Sequence, residues 1–108
     1  MRRVMIVTTT QDIPGREITE LLGLARGNSV RARHAGRDIM AGLRNIVGGE
    51  ISEYPKLQAE TREMATRRMV EFAESLGADA VVSVRYTTSM ITSGASEILA
   101  YGTAVKLS

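Results

Sequence analysis

The sequence predicts an α+β domain, with two helices on one face of a small, mainly antiparallel sheet. Three observations carry that prediction. A long amphipathic segment, Tyr54–Leu76, runs unbroken between Pro55 and Gly77. Two apolar segments, Ala80–Met90 and Ser96–Leu107, flank the short stretch ITSGA (Ile91–Ala95) and read as a hairpin. A β-branched run, VMIVTTT at Val4–Thr10, precedes them as a strand.

In chain order, QDIPG (Gln11–Gly15) follows the first strand and combines three residues that favour turns. Arg16–Arg33 admits two structures. Ile18, Leu21 and Leu22 fit the spacing of a short helix, but Gly23 and Gly27 weaken a helix and favour an irregular strand running on through Val30. Arg37–Val47 is a short helix ended by Gly48 and Gly49, with Ile39, Met40, Leu43, Ile46 and Val47 on its apolar face. Residues 50–53 form the loop into the long helix.

In that helix Pro55 suits the first turn, where its missing N–H has no intrahelical partner to lose. Gly77 suits the stop, which calls for a left-handed residue. At 100° per residue, Leu57, Met64, Ala65, Met69, Phe72 and Leu76 share one arc, with glutamates and Arg67 opposite. The helix spans roughly 33 Å, the full width of a compact domain of this size. Its apolar arc also holds Thr61, Arg68 and Ser75, with Arg62 at the margin. Such a mixed stripe is either an interface or an arginine reaching for water along its own stem. In the hairpin, alternation puts Ala80, Val82, Val84 and Tyr86 on one face of its first strand. Leu99, Tyr101, Thr103, Val105 and Leu107 share a face of the second.

The 108 residues make one domain (1–108), 44% hydrophobic and 24% charged, the balance of a globular chain. One Phe, three Tyr and no Trp leave little for base-stacking platforms. The net charge of +2 is scattered, so nucleic-acid binding is not expected. Without cysteine there is neither a disulfide nor a thiolate ligand. No segment has the pattern of a signal peptide or membrane span, which makes the cytoplasm the expected compartment and a membrane partner unexpected.

Nothing in the chain spells a catalytic motif. His34, the single histidine, has no nucleophile or second ligand at a telling spacing. Arg37 and Arg44, seven residues apart on one helix face, with Arg62 reaching across, are the candidates for holding an anion. Their other use is ion pairing with Asp38, Glu50 or a neighbouring subunit.

Three stretches together, MIVTTT, RDIMAGLRNIVGGE, and AESLGADAVVSVRY followed by YGTAV, resemble the YbjQ-like family. These are small bacterial and archaeal proteins of unknown function that carry a heavy-metal-binding label. The resemblance covers nearly the whole chain. It implies a fold related to the dodecin subunit, an extended rather than helical Arg16–Val30, and assembly into a homopentameric ring. Positions matching the family pattern include Arg37, Asp38, Arg44, Tyr54 and Arg62, which become the expected ligand-binding residues. A divalent metal is the implied cofactor. With no Cys and one His, a single chain is a poor soft-metal site. A ring would repeat His34, Asp38 and Glu50 around its axis and so multiply them into one. The expected function is a non-enzymatic, self-associating module that holds a metal ion or small anion between subunits. The alternative is an enzyme of unfamiliar type using Arg44, Tyr54 and Asp38 in an inter-subunit cleft. In a ring, the Arg62 and Arg68 edge of the long helix is expected to meet a neighbour.

Overall fold

The computed structural model describes residues 4–32, 53–92 and 95–108. Within them lie four strands and one helix: β1 (Ile6–Val7), β2 (Ile18–Ala32), α1 (Glu53–Ser75), β3 (Ala80–Thr92) and β4 (Ala95–Leu107). The sheet order is β1-β3-β4-β2, with β1 parallel to β3 and the other pairs antiparallel. The expected helix at Arg37–Val47 lies outside the described residues.

α1 forms where the periodicity placed it and stops by the expected device. Gly77 has φ 79°. Its N–H bonds the Glu74 carbonyl at 3.0 Å, and the Ala78 N–H bonds the Ala73 carbonyl at 3.1 Å. These two bonds make a Schellman stop, and the apolar residues on either side of it, Ala73 and Ala78, are buried in the same core cluster. The side of α1 that packs overlaps the expected arc at Thr61, Ala65 and Met69 but is rotated from it. The buried row is Thr61, Ala65, Met69 and Ala73, whereas Met64, Phe72 and Leu76 are each more than a third exposed. The cause is the partner strand. α1 lies on Ala25, Gly27 and Ser29 of β2, so close that a Cβ at Gly27 would overlap the backbone of Met69 and Ala65. Small residues fill most of the space beneath a helix at that distance, with Met69 the one bulky member of the buried row, and Met64, Phe72 and Leu76 turn to its flanks.

β2 is extended over fifteen residues, which decides between the two structures open for this segment. Gly23, with φ 119°, sits at a register shift against β4. The first strand is much shorter than Val4–Thr10. Only Ile6–Val7 pairs as a strand, because the threonines that follow serve a break in β3. There Ser83 and Val84 oppose the single residue Gly102, a β-bulge. Ser83 takes φ 56°, rare for a residue with a side chain. The bulge turns two N–H groups out of the ladder. Ser83 N–H finds the Thr10 carbonyl at 2.9 Å, and Val84 N–H the Thr8 carbonyl at 3.0 Å. Arg85 Nη1 also donates to the Thr9 carbonyl at 3.0 Å.

The bulge also resets which residues share a face. Ala80, Val82, Val84 and Tyr86 do not line one side, as strict alternation predicts. Val81 and Val84 pack beneath α1 with Ala100 and Ala104. Ala80 and Val82 pack on the reverse face with Val105 and Leu107, covered by Ile6, Ile13 and Ile18. The core is therefore double, with α1 on one side of the sheet and Ile6, Ile13 and Ile18 against the other. The structure is elongated, with a Cα radius of gyration of 17.3 Å and extents of 55 × 27 × 24 Å. A compact 108-residue domain has a radius near 13 Å. The expectation that α1 spans its whole domain rested on that compact shape and does not hold along the long axis.

Candidate functional site

Of the expected site residues, the described structure places one side chain. Arg62 is exposed on α1, its backbone carbonyl accepting the Thr66 hydroxyl at 2.8 Å. Tyr54 lies in the first turn of α1 without a described side chain. Arg37, Asp38 and Arg44 lie outside the described residues, as do the metal candidates His34 and Glu50.

The described residues build a different polar site, where the flank of α1 meets the outer edge of β2. Arg68 and Phe72 are one helical turn apart and so project from α1 on the same side. Arg68 Nη1 donates to the backbone carbonyl of Asn28 at 2.7 Å. The arginine in the apolar arc is exposed, as a side chain reaching water along its own stem is. It caps a strand edge of its own subunit. Arg26 lays its guanidinium over the Phe72 ring, 5.9 Å from the centroid. Asn28 Nδ2 donates to Glu97 Oε2 of β4 at 2.9 Å. These residues and Glu71 line an open groove of about 640 Å³. Two guanidiniums face two carboxylates there, so the groove is charge-balanced, and its donors are partly spent on its own walls. Sequence reasoning missed it. The one available signal was Arg68 itself, a charge on the side of α1 that should have been apolar.

The opposite flank of α1 faces β3. Thr66 Oγ1 and the Tyr86 hydroxyl are 2.8 Å apart. With the Thr66 hydrogen given to the Arg62 carbonyl, the phenol is the donor in this pair. Beyond Tyr86, every β3 residue from Thr87 to Ile91 is exposed.

The donor set bears on metal binding. Among the described residues no group of three or more His, Cys, Asp or Glu converges so as to hold a metal ion. The described part of one subunit therefore does not fit a heavy metal. No helix among the described residues is long and apolar enough to cross a membrane.

Known proteins resemble the chain over nearly its whole length. Residues 5–108 match the model of a family described as "Putative heavy-metal-binding". A UPF0145 protein of Methanosarcina acetivorans is 61% identical, covering 95% of this chain and 97% of its own. One from Archaeoglobus fulgidus is 56% identical over 99% of both chains. One from Vibrio campbellii is 60% identical, covering 95% of this chain and 99% of its own. Among solved structures, a protein of unknown function from Pediococcus pentosaceus, assigned to the DUF74 family, aligns with a TM-score of 0.65. It covers 96% of this chain and 98% of its own, and at 16% identity it speaks for the fold alone. With the matched model spanning all but the first four residues and relatives this similar end to end, the chain belongs to the YbjQ-like family of UPF0145 proteins.

Proposed function

We propose that this chain is a non-enzymatic, self-associating module that holds a metal ion or a small anion where its subunits meet. The homopentameric ring implied by the family resemblance is the assembly we propose for it. The carrying observation is the match of residues 5–108 to a family described as "Putative heavy-metal-binding", set against a chain with no cysteine and a single histidine. With so few soft donors in each copy, a site shared between copies is the way to gather enough ligands. His34, Asp38 and Glu50 are the residues proposed to converge on a metal, and Arg37, Arg44 and Arg62 those proposed for an anion, with Asp38 and Tyr54 beside them.

Calorimetric titration of the purified assembly with zinc, nickel and inorganic phosphate tests this. Binding that saturates at a simple fraction of the subunit number and weakens in Asp38→Ala or His34→Ala supports a shared metal site. Heat with phosphate that is lost in Arg44→Ala supports the anion version. No heat with either class removes the ligand-holding role.

A further inference from the structure

Among the described residues β3 and β2 are the two long strands with an unpaired side, and they differ in how that side is guarded. On β2, Arg68 caps the Asn28 carbonyl, Arg26 folds over Phe72, and Gly23 breaks the register. These are the devices that keep an edge from pairing. On β3 the first part is covered by β1 and the threonine segment. From Arg85 to Ile91 no described residue pairs with its outer side: RYTTSMI has no proline, glycine, lysine or acid, and all seven residues are exposed. Met90 is 78% and Ile91 56% exposed.

The direction of the backbone groups follows from the register. The Asn28 carbonyl points outward to Arg68, so the alternation of an antiparallel ladder turns the polar groups of its partner Leu99 toward β3. Leu99 pairs with Thr87, so Arg85, Thr87 and Ser89 bond β4, while Tyr86, Thr88 and Met90 aim their N–H and C=O groups off the sheet. The Val84 N–H, bonded to Thr8 on that same side, agrees with this phase.

We propose that this edge pairs with the same edge of a second copy, antiparallel about a two-fold axis at Thr88. The proposal deepens the self-association argued above and is independent of its five-fold symmetry. In this register Thr88 faces Thr88 of the copy, Tyr86 faces Met90 and Arg85 faces Ile91. The three outward residues of each strand then exchange about six backbone hydrogen bonds. The hydrogen-bonded pairs are compatible: an aromatic ring against a thioether, threonine against threonine. The two Arg85 side chains sit about 20 Å apart, too far to repel strongly in salt. The guarded β2 edge is why the partner is β3 itself. A two-fold contact closes on itself. Combined with a five-fold ring it joins two rings, and without one it makes a dimer.

The chain has no cysteine, so a single Thr88→Cys variant reads the contact directly. Hydrogen-bonded pairs across such an axis have Cα atoms about 5.5 Å apart, within disulfide reach. Mild oxidation of this variant is expected to convert the protein to covalent dimers on a non-reducing gel. Thr88→Pro removes an outward N–H without touching the β4 ladder. It is expected to halve the solution mass while the far-ultraviolet circular dichroism stays native. The native mass is expected to be an even multiple of one chain. A native mass of five chains overturns the proposal and leaves the ring standing, whereas a mass of one chain overturns both. The proposal is also overturned by a Thr88→Cys protein that stays monomeric on the gel, or by a Thr88→Pro mass equal to the native one. An even mass with no ring overturns the five-fold assembly and leaves this contact standing.

Discussion

Replacing Gly27 with alanine asks whether α1 rests directly on the backbone of β2. The added methyl carbon would lie 2.7 Å from the Arg68 carbonyl carbon and would overlap the Met69 nitrogen and the Ala65 oxygen. Ordinary contact between such atoms begins at about 3.5 Å, so the helix must lift by roughly 1 Å. All three obstacles are helix backbone, which cannot move aside as a side chain can. Lifting α1 loosens Ala25, Ala65, Met69 and Ala73, all fully buried. Overpacking of this kind costs about 1–3 kcal/mol, and the rigid neighbours put Gly27→Ala at the upper end, about 3 kcal/mol. Gly27 shows no positive φ, so alanine adds no backbone strain and the clash alone is measured. With a urea m-value of about 1–1.5 kcal/mol/M for a small domain, the unfolding midpoint should fall by roughly 2 M. Both proteins must be compared at one concentration, since association shifts the midpoint. A midpoint within about 0.5 M of the native value would refute the close docking of α1 on β2.

Gly102→Ala meets a mixed obstacle, with its methyl 2.7 Å from Val81 Cγ1, 2.9 Å from the Val82 carbonyl oxygen and 3.1 Å from Val84 Cγ2. It should destabilise by about 1–3 kcal/mol, and the Gly102→Ala/Val81→Ala double variant should lose less than the sum of the singles, whereas truncating Met69 should not rescue Gly27→Ala. Ser83→Gly relieves the left-handed backbone at the bulge and should raise stability by about 1 kcal/mol, read from the same urea curves. Arg68→Ala frees the Asn28 carbonyl to water, so its cost should stay near 1 kcal/mol or below. Its sharper readout is hydrogen exchange, which should quicken along the middle of β2 and not in β4.

The long helix and the last hairpin were legible because each carries an unambiguous signal. The helix has a proline entry, a glycine stop and a clear period, and the structure sets it one residue earlier than the pattern did, at Glu53–Ser75. The hairpin strands ran within two residues of their expected ends. What the sequence hid depends on contacts far apart in the chain. Ser83 gives no local sign of a bulge, and without it alternation assigns Val84 and Tyr86 to the side of Ala80 and Val82. The threonines after Val7 look like strand because β-branched residues favour strands, yet their carbonyls answer N–H groups that the bulge turns away from β4. The buried row of α1 follows Gly27, a partner some forty residues away. The family resemblance correctly implied that β2 is extended, where the residues alone left two structures open. For the candidate site the sequence pointed to Arg37, Asp38, Arg44, Tyr54 and Arg62. Of these only the Arg62 side chain is among the described ones, so the groove at Arg26, Asn28 and Arg68 is a site that spacing alone did not suggest.

Self-association is the claim on which the functional proposal and the β3 contact both rest, and the mass of the native protein in solution tests it most directly. Light scattering on the eluting peak at micromolar concentration should give a multiple of the 11.7 kDa chain. Ten chains are expected if rings of five are joined through β3. A single peak of 11.7 kDa, unchanged on concentration, would contradict the account.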